Sequence, residues 1–106
     1  MSNNEICGIE ISASCEVVTK EIYEDVYYIR EDLRPVFYIN GLYFACTVNR
    51  CEHAIGPGSR GNIHVTVMTG ENISLFHSGA EFELREGPKN ILSRCVIDEV
   101  IKEYRN

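Results

Sequence analysis

The sequence is short of positive charge. Its 106 residues carry 10 lysines and arginines against 16 aspartates and glutamates, a formal net charge of −6 at pH 7. An acidic chain repels phosphates, so nucleic acid and anionic membrane are disfavoured partners unless the basic residues segregate. Long apolar runs are also missing. No stretch reaches the roughly 18 apolar residues of a bilayer-spanning helix, which excludes a helical membrane anchor. Met1-Ser2-Asn3-Asn4-Glu5 has neither a basic n-region nor an apolar h-region. No secretory leader is therefore expected, and the chain reads as cytoplasmic. The length suits one domain, residues 1–106, with no room for a second.

C-x-x-C pairs are absent too. Five cysteines (Cys7, Cys15, Cys46, Cys51 and Cys95) are an odd number without a disulfide-framework pattern. Reduced, partly buried thiols are the plain reading, because free cysteine behaves as a small hydrophobe. The sharper reading is a metal site of Cys46, Cys51 and His53 completed by His64 or Cys95. Its C-x4-C-x-H spacing matches no common zinc site, so no metal or other cofactor is expected.

What is present is alternation of period two. Ile9, Ile11, Ala13, Cys15 and Val17 alternate with Glu10, Ser12, Ser14 and Glu16. Val36 to Ile39 is a short β-rich run, and Asn40-Gly41 is a tight-turn signal before Leu42, Phe44, Cys46 and Val48. Gly56-Pro57-Gly58-Ser59-Arg60-Gly61 is a loop, followed by the strand bearing Ile63, Val65 and Val67. Gly70 ends that strand, and Ile73 and Leu75 begin a short segment. Ala80, Phe82 and Leu84 alternate with Glu81, Glu83 and Arg85 up to Gly87-Pro88. Ile91 to Ile101 is the last extended run, with Cys95, Ile97, Glu99 and Ile101 assigned to one side. Such strands predict an antiparallel barrel or sandwich whose core includes Ile9, Ile11, Val17, Phe37, Phe44, Val65, Val67, Phe82, Leu84 and Ile97. Thr19 to Leu33 breaks the pattern. Ile22, Val26, Ile29 and Leu33 have helical spacing, yet Tyr23, Tyr27 and Tyr28 also suit a strand, so a short helix or an irregular excursion is expected there.

Three runs then become recognisable. Arg34-Pro35-Val36-Phe37-Tyr38-Ile39 resembles the Arg-Pro-x-Phe-Tyr-Phe run in the third domain of bacterial elongation factor Tu. Gly61-Asn62-Ile63 resembles that domain's Gly-Asp-Asn-Ile turn and strand. Gly79-Ala80-Glu81-Phe82-Glu83-Leu84-Arg85-Glu86-Gly87 is similar to its Gly-Leu-Arg-Phe-Ala-Ile-Arg-Glu-Gly. The matches occur in order, over Arg34 to Ile101. The resemblance implies an all-β, six-stranded antiparallel Greek-key barrel standing alone. The chain departs from the family at Asn40-Gly41-Leu42, which replaces an Arg-Thr-Thr-Asp run. It departs again at Asn90 to Cys95, which replaces a glycine-containing one, and in residues 19–33, which are acidic and tyrosine-rich rather than basic.

Enzymatic chemistry is not expected. Gly56 and Gly61 fit the glycine frame of a phosphate-binding loop, but Asn62-Ile63 stand where Lys-Ser/Thr belongs. Cys51 and His53 lie close enough in sequence for a nucleophile pair, but nothing supplies an oxyanion hole or an orienting third group. Glu81 and Glu83 read as a solvated strand face.

Charge is distributed unevenly. Residues 1–32 hold eight acids against Lys20 and Arg30, a net −6, whereas residues 33–97 hold five acids against six bases. Tyr23, Glu24, Asp25, Tyr27, Tyr28, Glu31 and Asp32 therefore form the candidate protein-binding segment. Acids steer a basic partner and tyrosines anchor it. Charge and size, taken with the resemblance to a translation-factor barrel lacking its GTPase, imply a non-enzymatic module that neutralises a basic, RNA-handling protein, as a small immunity protein or antitoxin would, the partner being a toxin or a translation component. The alternative is a tRNA- or ribosome-associated accessory using Arg34, Arg60, Arg85 and Lys89, with Arg50 and Arg94. It requires those cations to cluster opposite the acidic segment.

Overall fold

A computed structural model describes residues 5–18 and 28–105. Six strands form in chain order: β1 (Ile6–Val17), β2 (Val36–Ile39), β3 (Leu42–Cys51), β4 (Arg60–Val67), β5 (Glu81–Glu86) and β6 (Asn90–Arg105). A single 3-10 turn, Ile73–Leu75, lies between β4 and β5. The strands close into a barrel in the order β1-β4-β3-β2-β5-β6, every pairing antiparallel. β2, β3 and β4 are consecutive neighbours and β5 returns to lie beside β2, which is a Greek key. The alternation leaves barrel and sandwich open; the six-stranded antiparallel Greek-key barrel that the resemblance implies is the fold observed.

Turn chemistry explains the tightest connection. Asn40 (φ 48°) and Gly41 (φ 83°) both occupy the left-handed region, so they form the two-residue turn that matches strand twist between β2 and β3. Inward positions are apolar throughout. Ile9, Ile11 and Ala13 on β1, Phe37 on β2, Val48 on β3, Val65 and Val67 on β4 and Leu84 on β5 have no exposed surface. Phe37 stacks on Phe82 with ring centroids 4.2 Å apart, joining the cores of β2 and β5.

The structure corrects several sequence expectations. Phe44 is only half-buried: it sits near the mouth of the barrel, where Phe76 meets it edge-on at 5.6 Å. Ile101 does not share the buried side of Cys95 and Ile97 but is exposed. Register shifts in the β1–β6 ladder change the facing of the strand between those positions, and β5 pairs no further along β6 than Val96. A further register shift at Asn49 lets Cys51 point inward after Val48. β1 and β6 are also longer than the expected runs, extending to Ile6 and Arg105. Of residues 19–33, positions 19–27 lie outside the described residues. The remainder is irregular, as one of the two expectations had it: Ile29 makes an isolated bridge to Ile55, and Asp32 turns through φ 68°.

Phe82→Ala removes a ring stacked on Phe37, so it should destabilise the barrel by about 3–5 kcal/mol, as cavity-forming aromatic truncations do. A denaturant titration showing less than about 1 kcal/mol would place the Glu81/Glu83 side of β5 inside instead.

Candidate functional site

Strand directions put three connections at one end of the barrel. β1 ends there at Val17, β2 begins at Val36, β3 ends at Cys51, β4 begins at Arg60, and the β5–β6 hairpin turns at residues 87–89. Val18 and Tyr28, the described residues on either side of 19–27, both lie at this rim. Val18 is fixed by its N–H donating to Leu92 O at 2.9 Å. After Tyr28, Ile29 and Ile55 exchange two backbone hydrogen bonds, Ile29 N–H to Ile55 O at 3.0 Å and Ile55 N–H to Ile29 O at 2.8 Å. Both isoleucines are buried and plug the barrel mouth.

That plug orients the described part of the candidate segment. Tyr28 is 48% exposed, and its ring lies on the loop backbone: a Cβ on Gly56 would fall 2.9 Å from Tyr28 Cε1. Glu31 and Asp32 are exposed on the turn that follows. Asp32 N–H donates to Val48 O at 2.8 Å, and Val48 N–H to Leu33 O at 2.8 Å, so the turn is hung on β3. Tyr28, Glu31 and Asp32 therefore share one rim. Tyr23, Glu24, Asp25 and Tyr27 lie outside the described residues.

The basic candidates occupy the same end. Arg34 precedes β2, Arg85 opposes Val36, and Lys89 sits in the neighbouring hairpin, while Arg60 opens β4 on the far side of the strand order. The described acids Glu31 and Asp32 lie at the same end as these cations, while Glu21, Glu24 and Asp25 lie outside the described residues. Two of the four cations are ion-paired. Arg60 meets Glu16 at 3.1 Å. Arg85 donates from Nε to Glu83 at 2.8 Å and lies 3.7 Å over the Tyr38 ring. Register links these groups laterally: Arg60, Glu16, Arg94, Glu83, Tyr38 and Tyr43 are successive cross-strand neighbours from β4 through β1, β6, β5 and β2 to β3. The first four alternate in sign. Glu16, Glu83 and Arg94 escaped sequence reasoning as members of one row. Only the i, i+2 relation of Glu83 and Arg85 was visible there, because the rest depends on register.

The thiols do not form the metal site considered from sequence. Among the described residues, no cluster of three or more His, Cys, Asp and Glu could hold a metal ion. Cys46 donates to Pro35 O at 3.2 Å, whereas Cys51 donates to His53 O at 2.7 Å. Cys51 thus meets the carbonyl of His53, and the imidazole is 86% exposed alongside Glu52. Burial pushes the Cys51 thiol up, away from the thiolate a nucleophile needs. All five cysteines are free, and four of them are buried.

The fold is a small closed barrel, one end of which carries Tyr28, Glu31 and Asp32 together with Arg34, Arg60 and Lys89. No protein-family model matches the chain, and no curated protein matches it significantly. No helix among the described residues is long and apolar enough to cross a membrane.

Burial alone pushes the Cys46 thiol up from 9.0 to about 12. In the unfolded chain this thiol loses its proton near 9, while the folded barrel keeps it, so the native state holds more protons between those values. Stability should therefore fall as pH rises from 9 towards 12. Cys46→Ala should remove a slope of roughly 1.4 kcal/mol per pH unit from that fall. Urea titrations of both chains across this interval test it; parallel pH profiles would show that Cys46 does not carry the effect.

Proposed function

We propose that this chain is a non-enzymatic protein-binding module whose acidic, tyrosine-bearing rim receives a basic protein. One observation carries the reading. Tyr28, Glu31 and Asp32 are exposed together on a rim held by the Ile29–Ile55 bridge, while Arg60 and Arg85 are occupied by Glu16 and Glu83. Exposed acids and a half-exposed aromatic suit a basic surface, since charge speeds encounter and the ring supplies buried area. Tyr23, Glu24, Asp25 and Tyr27, which complete the candidate segment in sequence, lie outside the described residues. A stand-alone barrel resembling the elongation factor Tu domain, without a GTPase, suits an immunity protein or antitoxin directed at an RNA-handling toxin. That kinship rests on the three sequence runs, because a barrel by itself hosts many functions. A cytoplasmic setting accords with this reading.

Affinity capture on the full chain, followed by binding kinetics with the captured molecule, tests the proposal. A basic protein is expected. Its association should slow when Glu31→Gln and Asp32→Asn are combined, and slow further at moderate salt. Tyr28→Ala should accelerate dissociation and weaken binding by about 2 kcal/mol if the ring is central. Capture of tRNA, weakened by Arg34→Gln and Lys89→Gln and strengthened by loss of the acids, would establish the opposite reading. Tight binding indifferent to every acidic and tyrosine replacement in residues 21–32 would sink it.

A further inference from the structure

The barrel closes where its first and last strands meet, and two thiols face each other across that seam. Cys15 on β1 is the direct cross-strand partner of Cys95 on β6, within an unbroken register from Ala13↔Ile97 to Val17↔Ser93. The hydrogen-bond pattern defines the kind of pair they form. Val18 N–H donates to Leu92 O, whereas Val17 directs its backbone to the other side, accepting from Gly58 N–H and donating to Ser59 O. Alternation along the ladder then makes Glu16/Arg94 a hydrogen-bonded pair and Cys15/Cys95 a non-hydrogen-bonded one. Such pairs hold their Cα atoms about 4.5 Å apart with the side chains close. That separation lies at the short end of the roughly 4.4–6.8 Å spanned by disulfides. The two side chains are near enough for each thiol to shift the ionisation of the other. Ser93 Oγ lies 3.3 Å from Cys95 Sγ.

We propose that Cys15 and Cys95 are a redox-active dithiol that closes into a cross-strand disulfide, stapling the barrel at its seam when hydrogen peroxide reaches it. The two sulfurs have different roles. The Cys95 S–H and the backbone of Gly61 stabilise a thiolate at Cys15 and lower its pKa against the effect of burial. Burial and the neighbouring Cys15 keep Cys95 protonated. Cys15 is accordingly the attacking sulfur and Cys95 the resolving one. The Cys15 thiolate attacks one peroxide oxygen, the O–O bond breaks, and the departing hydroxide takes a proton to become water. Cys95 sulfur then attacks Sγ of the Cys15 sulfenic acid. The S–S bond forms, the S–O bond breaks, and hydroxide leaves with the Cys95 proton as a second water. The dithiol loses two electrons and peroxide gains them. A small neutral oxidant suits a pair this buried, both residues being 3% exposed. The other two buried thiols have carbonyl partners: Cys46 donates to Pro35 O, and Cys51 to the carbonyls of Ile29 and His53.

Peptide mapping of the full folded chain after peroxide treatment, with free thiols alkylated before digestion and no reductant added, tests this. A single linkage between Cys15 and Cys95 is expected, with a chain mass lower by two hydrogens and reversal by dithiothreitol. The oxidised chain should also unfold at higher urea than the reduced one. Cys7→Ser should retain the linkage and the shift. Cys95→Ser should lose both and leave a sulfenic acid at Cys15 that a dimedone probe captures. Linkage of other cysteines, or sulfinic acid at Cys15 in the unsubstituted chain without any linkage, would overturn the proposal. The map of the unsubstituted chain decides even if Cys95→Ser fails to fold.

Discussion

Along the ladder between β1 and β6, Val17 pairs with Ser93 at one end and Ile6 with Arg105 at the other. This pairing turns an open sheet of short strands into a barrel, and the remaining architecture depends on it. Without closure, β1 and β6 would each present an unpaired edge, the usual template for association between sheets. With it, the inward residues of six strands share one interior. Ile9, Val65, Leu84 and Ile97 can then all be buried although their strands are far apart in sequence. Register shifts let this long ladder bend. They also leave the last stretch of β6 with Val100 and Ile101 exposed.

The interior is apolar, but it is not inert. Cysteine fills inward positions on β1, β3 and β6, where a small side chain suits the taper of a narrow barrel. Where one thiol faces only a carbonyl, as Cys46 does, burial raises its pKa and suppresses its chemistry. Where two thiols oppose each other, their proximity works against burial at one of them. The same residue type is thus packing at one position and redox chemistry at another, and the neighbour across the ladder makes the difference.

Outside, part of the charge is compensated across the ladders. Cross-strand neighbours neutralise the row from Arg60 through Glu16 and Arg94 to Glu83, with Arg85 stacked on Tyr38 beside it. Surface pairs of this kind contribute little stability. Their larger effect is to remove cations from the field that an approaching partner meets. Glu31 and Asp32 sit at the rim on a turn tied to β3, with Tyr28 laid on Gly56. The scaffold thus holds these three side chains on a supported turn.

The sequence by itself determined the strands and most of their inward faces. Alternation of period two is a local property: Ile63, Val65 and Val67 point inward because successive side chains on a strand must alternate. Asn40-Gly41 likewise encoded its turn, since a two-residue hairpin needs left-handed backbone. Register was not local. A shift at Asn49 sends Cys51 inward, those along β1–β6 leave Ile101 exposed, and position at the barrel mouth leaves Phe44 half-buried. The candidate site divides in the same way. The acid and tyrosine content of residues 21–32 was legible as composition. That Glu31 and Asp32 share an end with Arg34 and Lys89, and that Glu16 occupies Arg60, followed only from strand order. Cys15 and Cys95 are distant in the chain, and no spacing rule joins them. Only closure of the barrel, which makes the first strand a neighbour of the last, sets them opposite each other.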